Sequence, residues 1–139
     1  MKKAVLLVDD SGVDRYLLTR QLNDTGLVDR IFEVRDGEEA LAFFLEYETN
    51  SKNYADEYPP LIVFLDVNMP KLNGFQFLEG FEKARAKHDL SAVVVMMFST
   101  SSSQEDKELA LNYEYVKDYL VKGDFSSEKL ASRITPYLS

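Results

Sequence analysis

The sequence predicts an α/β fold in which a five-stranded parallel sheet carries helices on both faces. Short apolar runs alternate five times with amphipathic segments along the chain. Three of the runs are almost continuously apolar, which is typical of strands buried on both faces. Parallel strands that follow one another through helices need right-handed crossovers, and these place the helices on the two faces. The 139 residues suit one domain, 1–139, with a core of its own.

The five predicted strands are short runs rich in aliphatic and aromatic residues. They cover residues 4–8, 31–34, 61–65, 93–98 and 119–121. A segment at 48–60 interrupts the alternation, because it is polar, ends in Pro59-Pro60 and is long for a connection between a helix and a strand. The favoured interpretation is an extra helical turn with a tolerated surface insertion. A partner-binding loop is the alternative.

The five predicted helices are marked by apolar residues three and four positions apart and by capping signals. The markers are Val13, Leu17 and Leu18 up to about Leu22; Ala40, Leu41, Phe44 and Leu45 after Asp36-Gly37; Phe75, Leu78, Phe81 and Ala84; the serines 101–103 followed by acids; and Leu130, Ile134 and Tyr137.

Composition and charge exclude several classes of function. The chain has 16 basic and 24 acidic residues, a net charge of −8, which disfavours binding to nucleic acid or to an anionic membrane. It contains no Cys, so disulfide and thiolate chemistry are excluded. The apolar run at 4–8 is too short for a signal peptide, and no stretch reaches the length of a membrane span. A soluble, cytoplasmic protein is expected.

Charged and hydroxyl side chains follow four of the predicted strands. Asp9-Asp10, Asp66, Ser99-Thr100 and Lys122 stand at these positions. In a parallel α/β sheet ligands gather at the carboxyl ends of the strands, so these groups should come together there. Three crowded carboxylates repel one another, and a divalent cation such as Mg²⁺ would relieve the repulsion. Taken singly, each is a common strand terminator, helix cap or solvated charge, so the prediction depends on their joint placement.

Four sequence motifs carry a resemblance to a known family. The segments "LLVDDS", "FLDVNMPKLNG", "MFSTS" and "YLVKG" occur in this order and span nearly the whole chain. In this set the chain resembles the receiver domains of two-component response regulators, especially the stand-alone kind like the bacterial chemotaxis regulator. The resemblance implies a flavodoxin-like, doubly wound sheet of order 2-1-3-4-5 with five helices.

The resemblance also implies roles for the residues at the strand ends. Asp66 would accept a phosphoryl group. Asp10, Asp66 and the backbone carbonyl of Asn68 would bind Mg²⁺ directly, while Asp9 would act through water. Lys122 would pair first with Asp66 and then with the phosphoryl oxygens.

The implied output is a switch in protein contacts, carried by the Ser99 hydroxyl and the Tyr119 ring. The implied partners are a histidine kinase or histidine phosphotransfer protein as donor and an unnamed output protein, with the chain a monomer or weak homodimer. Two departures from the family pattern are Gly123, where Pro usually follows the lysine, and Tyr115, where the preceding helix usually ends in Gly.

Two other functions compete with this interpretation. A haloacid-dehalogenase-like phosphatase also uses an Asp nucleophile and Mg²⁺, but it needs a second acid where this chain has Asn68, and an amide cannot act as a general acid. A pure binding module that is never phosphorylated is the second alternative. Phosphorylation that depends on the metal would separate it from a switch.

Overall fold

Five parallel strands form one sheet in the order β2-β1-β3-β4-β5. The computed structural model describes residues 2–138. The strands are β1 (Ala4–Val8), β2 (Arg30–Val34), β3 (Ile62–Leu65), β4 (Val94–Ser99) and β5 (Val116–Val121). This order and the parallel pairing confirm the predicted flavodoxin-like α/β fold.

Six α-helices within residues 2–138 connect and cover the strands, one more than predicted. They are α1 (Gly12–Thr25), α2 (Gly37–Leu45), α3 (Tyr47–Asn53), α4 (Gly74–Lys87), α5 (Gln104–Leu111) and α6 (Ser127–Ile134), and a 3-10 helix follows at Thr135–Tyr137. None of these helices combines the length and the apolar character that crossing a membrane requires.

The additional helix is α3, which lies in the segment predicted to hold only an extra turn. Its sequence is polar and shows no apolar stripe, and Tyr47 at its start is the one residue of α3 that packs against the core, with its ring stacked on that of His88. Hydrogen bonds hold the rest of the segment. The Asn50 side-chain amide and the Tyr58 hydroxyl both donate to the carbonyl of Phe43, at 2.8 and 2.7 Å. Both residues are buried, so the segment is tied back onto α2.

Apolar side chains fill both sides of the sheet, because neighbouring residues of a strand point to opposite faces. In β1, Leu6 packs with the side chains of α2 and α4, while Leu7 packs with those of α1 and α6. Both leucines are fully buried. This two-sided burial explains why β1 reads as an unbroken apolar run.

Strand β5 begins three residues earlier than predicted. It lies at the edge of the sheet, where one side is unpaired, and it carries an exposed Lys117 and a half-exposed Asp118 near its start. A search for apolar runs therefore misses its first half. Tyr119 consequently lies inside the strand, paired in register with Met97, and does not begin it.

The loop after β3 requires glycine at one position. A Cβ placed on Gly74 would lie 2.6 Å from the backbone oxygen of Asp66, closer than real Cβ contacts allow. The N–H of Gly74 also donates to the carbonyl of Val67 at 3.0 Å. The start of α4 is thereby packed directly against the end of β3, which fixes the backbone at Asp66.

Candidate functional site

Three carboxylates meet at the carboxyl edge of the sheet. Asp9 and Asp10 follow β1 and Asp66 follows β3, and one carboxylate oxygen from each lies within 4.8 Å of the others. Asp9 and Asp66 are buried, whereas Asp10 is exposed. The N–H of Asp66 donates to the carbonyl of Val8 at 3.0 Å, so the ladder between β1 and β3 continues to the site. The structure thus brings together the three acids that the sequence placed here.

The side chain of Lys122 reaches this cluster from the end of β5. Its ammonium nitrogen lies 2.5 Å from a carboxylate oxygen of Asp9, 2.9 Å from one of Asp14 and 3.4 Å from one of Asp66. The shorter contacts are those to Asp9 and Asp14. The sequence did not single out Asp14, because acids are common in the first turn of a helix, where they interact favourably with the positive end of the helix dipole.

The backbone at Lys122 is held by the neighbouring strand. Its N–H donates to the carbonyl of Ser99 at 2.8 Å. Tyr58–Pro59 is the one cis peptide bond among residues 2–138, so the Lys122–Gly123 bond is trans. Gly123 adopts a φ of 91°, a left-handed conformation that glycine tolerates better than other residues.

The pKa values of the paired groups reflect crowding in a partly buried site. Burial raises the pKa of Asp9, and this outweighs the hydrogen bonds from Lys122 and from the N–H of Ser11. Burial tends to lower the pKa of Lys122, but the hydrogen bonds to Asp9 and Asp14 raise it well above its usual range. One ammonium faces three carboxylates within hydrogen-bonding reach, and Asp10 adds a fourth nearby, so the pocket keeps an excess of negative charge.

The donor set fits a hard divalent cation. Carboxylate oxygens are the ligands that Mg²⁺ prefers, and the exposed Asp10 leaves one side open to the waters that this ion retains. The N–H of Asn68 lies 3.4 Å from a carboxylate oxygen of Asp66, so the main chain at 68 runs beside the cluster.

Ser99 and Tyr119 are linked through a loop residue that the sequence did not single out. Ser99 is fully buried, and its hydroxyl accepts a hydrogen bond from the N–H of Ser101 at 3.2 Å. The Tyr119 hydroxyl donates to the carbonyl of the same Ser101 at 3.0 Å. A movement of the Ser99 hydroxyl would therefore reach the Tyr119 ring through the backbone of one residue, Ser101.

The other tyrosines of this region have mainly packing roles. Tyr115 is buried, its hydroxyl donates to the carbonyl of Leu78 at 2.6 Å, and its ring lies edge-on to that of Phe81. Tyr113 is half-buried, with its ring centroid 5.7 Å from that of Tyr115. The burial and the hydrogen bond of Tyr115 show that this side chain packs beneath α4 and is not part of an exposed aromatic surface.

Comparisons with known proteins agree with this geometry. The family model described as the response regulator receiver domain matches residues 5–135. The chain is 31% identical over 124 residues to the response regulator Rcp1 of Synechocystis, covering 86% of this chain and 76% of that protein. It is 30% identical over 118 residues to the probable methanogenesis regulatory protein FilR2 of Methanothrix harundinacea, covering 85% of this chain and 70% of that protein.

Solved structures of response regulators are similar to this fold over nearly the whole chain. The chemotaxis protein CheY4 of Vibrio cholerae has a TM-score of 0.72 and 28% identity, and the match covers 99% of this chain and all of that one. A structure described as the Mn(2+)-bound form of response regulator Rcp1 has a TM-score of 0.69 and 26% identity, and covers 99% of this chain and 95% of that one.

Proposed function

The chain belongs to the receiver domain family of two-component response regulators, and we propose that it is a switch in which Asp66 accepts a phosphoryl group with the help of Mg²⁺. One observation carries the proposal. The buried carboxylate of Asp66 stands among two other acids and lies 3.4 Å from the Lys122 ammonium, at the edge of the sheet where ligands gather. The Mn²⁺-bound form named for the Rcp1 structure supports the proposal that this chain binds a divalent cation.

The proposed step is a displacement at phosphorus. A carboxylate oxygen of Asp66 forms a bond to the phosphorus atom, while the bond from phosphorus to the donor's histidine nitrogen breaks and the nitrogen leaves with its electron pair. Lys122 donates hydrogen bonds to the phosphoryl oxygens, and the Ser99 hydroxyl binds one of them once the group has been transferred. Bound Mg²⁺, held by Asp10, Asp66 and the Asn68 carbonyl with Asp9 acting through water, would offset the negative charge on these oxygens.

The phosphoryl donor is a histidine kinase or a histidine phosphotransfer protein. Val13, Tyr16 and Leu17 are among the most exposed large apolar side chains among the described residues. Tyr16 and Leu17 lie three and four positions after Val13 on α1, directly after Asp9 and Asp10, so the three side chains share one face of the helix. Exposed apolar groups beside an acceptor carboxylate favour the docking of a protein donor.

The output is a change in protein contacts on the face formed by α5, β5 and α6. A phosphoryl group on Asp66 would draw the Ser99 hydroxyl toward it, which removes the acceptor of the Ser101 N–H. The carbonyl of Ser101 holds Tyr119, so the ring would gain a second position. An output protein, or a second copy of this chain, would bind one position of the ring more tightly than the other. The chain itself would be a monomer or weak homodimer in the cytoplasm.

Acetyl phosphate with Mg²⁺ tests the proposal without a known kinase. Intact-mass spectra of the wild type should show one added phosphoryl group per chain, and Asp66→Asn should show none. Asp124→Asn, an exposed Asp in the loop after β5, is the matched control and should react like the wild type. A wild type that stays unmodified with every small donor would instead favour a pure binding module.

A further inference from the structure

We infer that Asp14 is a positioning residue that competes with the Asp66 phosphoryl group for Lys122, an inference that rests on the proposed function. The ammonium of Lys122 lies 2.9 Å from the Asp14 carboxylate but 3.4 Å from that of Asp66. Asp14 and Lys122 are 108 positions apart in the chain, so their contact depends on the tertiary fold and is not a local helix effect. Asp14 thus holds the lysine partly away from the phosphoacceptor.

The start of α1 fixes Asp14 in place. The hydroxyl of the capping residue Ser11 accepts a hydrogen bond from the N–H of Asp14 at 3.2 Å. The next residue, Arg15, donates to the backbone carbonyl of Asp9 at 2.6 Å and pairs with Glu33 at 3.1 Å. Because the first turn of α1 is tied to the segment that carries Asp9, Asp14 and Asp9 approach Lys122 together.

The chemistry of the ammonium group makes the contacts exclusive. A lysine has three N–H donors, and the contacts to Asp9, Asp14 and Asp66 account for all of them. A phosphoryl group on Asp66 adds strong acceptor oxygens and about −1.5 to −2 charges, so Lys122 must release a carboxylate to bind it more closely.

Asp14 is the partner whose release costs least. Its side chain is 35% exposed, whereas those of Asp9 and Asp66 are 10% and 9% exposed. Water can solvate the released carboxylate of Asp14, but a buried carboxylate left without its partner would carry a large desolvation penalty. Loss of the Asp14 charge should therefore favour the state in which Lys122 contacts the phosphoryl group.

The test measures binding of beryllofluoride, which stands in for the phosphoryl group, at fixed Mg²⁺ by NMR titration. Asp14→Asn keeps the size of the side chain and removes its charge, and it should bind the analogue about three- to tenfold more tightly than the wild type. The control Asp124→Asn removes the same charge two residues from Lys122, at an exposed position. The ion pairs of Lys122 among the described residues are with Asp9, Asp14 and Asp66, so this control should match the wild type within about twofold.

A double-mutant cycle shows whether the effect passes through Lys122. In a Lys122→Gln background, or Lys122→Met if the first does not fold, Asp14→Asn should no longer change the affinity. Equal affinities of wild type and Asp14→Asn, weaker binding by Asp14→Asn, or the same gain without the lysine would each overturn the inference. A wild type that binds no analogue and accepts no phosphoryl group would overturn the proposed function as well, so the two failures can be told apart.

Discussion

The acidic pocket and the aromatic cluster under α2 and α3 differ in whether their buried polar groups have enough bonding partners. We define the acidic pocket as Asp9, Asp10, Asp14, Asp66 and Lys122, and the aromatic cluster as Phe32, Phe43, Phe44, Tyr54 and Tyr58. In the cluster, ring centroids of neighbours lie between 5.1 and 5.6 Å apart for the pairs Phe32–Phe43, Phe32–Tyr54, Phe43–Tyr58 and Phe43–Phe44. Its buried hydroxyl, on Tyr58, has an acceptor in the carbonyl of Phe43.

The acidic pocket has more negative groups than positive partners. Three of its four carboxylates share one ammonium group, and two of these acids, Asp9 and Asp66, are buried. Like charges at this separation destabilise the folded chain unless a cation or another group neutralises them. This fold therefore places its stabilising contacts in the apolar layers and tolerates an electrostatic cost at the strand ends, where a ligand can bind.

The largest expected effect comes from the aromatic cluster. Phe44 is fully buried, and its ring centroid lies 4.7 Å from that of Phe81 and 5.6 Å from that of Phe43. Phe44→Ala should lower the free energy of unfolding by about 3–5 kcal/mol, since it removes a large core side chain and leaves a cavity. Urea denaturation measures this. A loss below about 1 kcal/mol would mean that the cluster does not stabilise the fold as argued.

The second largest loss of stability is expected at Gly74, where the start of α4 packs against the end of β3. Gly74→Ala places a Cβ 2.6 Å from the backbone oxygen of Asp66, so the chain must shift there. We expect a loss of about 3 kcal/mol in unfolding free energy together with slower phosphorylation by acetyl phosphate. Gly26→Ala also strains a left-handed glycine, but it lies in open space at the end of α1. It should therefore destabilise the protein without changing the rate.

Mg²⁺ should stabilise the acidic pocket to a smaller extent. At ten to a hundred times its dissociation constant, an ion that binds only the folded state adds about 1.4–2.7 kcal/mol to the unfolding free energy. Asp10→Asn should slightly stabilise the metal-free protein, because it removes one repelling charge, and should weaken the response to Mg²⁺. Thermal melts with and without the ion measure both. An unchanged Mg²⁺ response would exclude Asp10 from the metal site.

The smallest effect on stability is expected at Ser99. Its substitution should instead weaken the coupling between the phosphoryl site and Tyr119. Ser99→Ala should still accept a phosphoryl group, but beryllofluoride with Mg²⁺ should shift the NMR signals of Tyr119 and of residues 103–121 much less than in the wild type. The hydroxyl is the link to Ser101, whose carbonyl holds Tyr119. Equal shifts in both proteins would contradict the switch while leaving the phosphoacceptor role intact.

The sequence predicted the parts of the fold whose signal is local. Strand β1 was predicted with its observed bounds and β3 to within one residue, because strands buried on both faces leave an unbroken apolar run. Helix α3 was predicted only as an extra helical turn, and the first half of β5 was missed. Asn50 and Tyr58 secure α3 through hydrogen bonds, and β5 is an edge strand with charged residues at 117 and 118, so neither shows the expected apolar pattern.

The acidic pocket could be predicted in part for the same reason. Asp9, Asp10 and Asp66 follow apolar strands directly, and the rule that parallel strands end at one edge brings them together. Asp14 and Ser101 do not end a strand. Their contacts to Lys122 and Tyr119 depend on how α1 and the loop after β4 pack, which a single sequence does not display.

Chemical mapping of the modified residue shows whether Asp66 carries the phosphoryl group. The protein is phosphorylated with acetyl phosphate and Mg²⁺, and the acyl phosphate is reduced with borohydride, which converts the modified aspartate to homoserine. Sequencing of peptides by mass spectrometry should find homoserine at position 66 alone, and hydroxylamine treatment before reduction should abolish it. Homoserine at position 9, 10 or 14, or none in a chain whose mass shows the added group, would mean that Asp66 is not the phosphoacceptor.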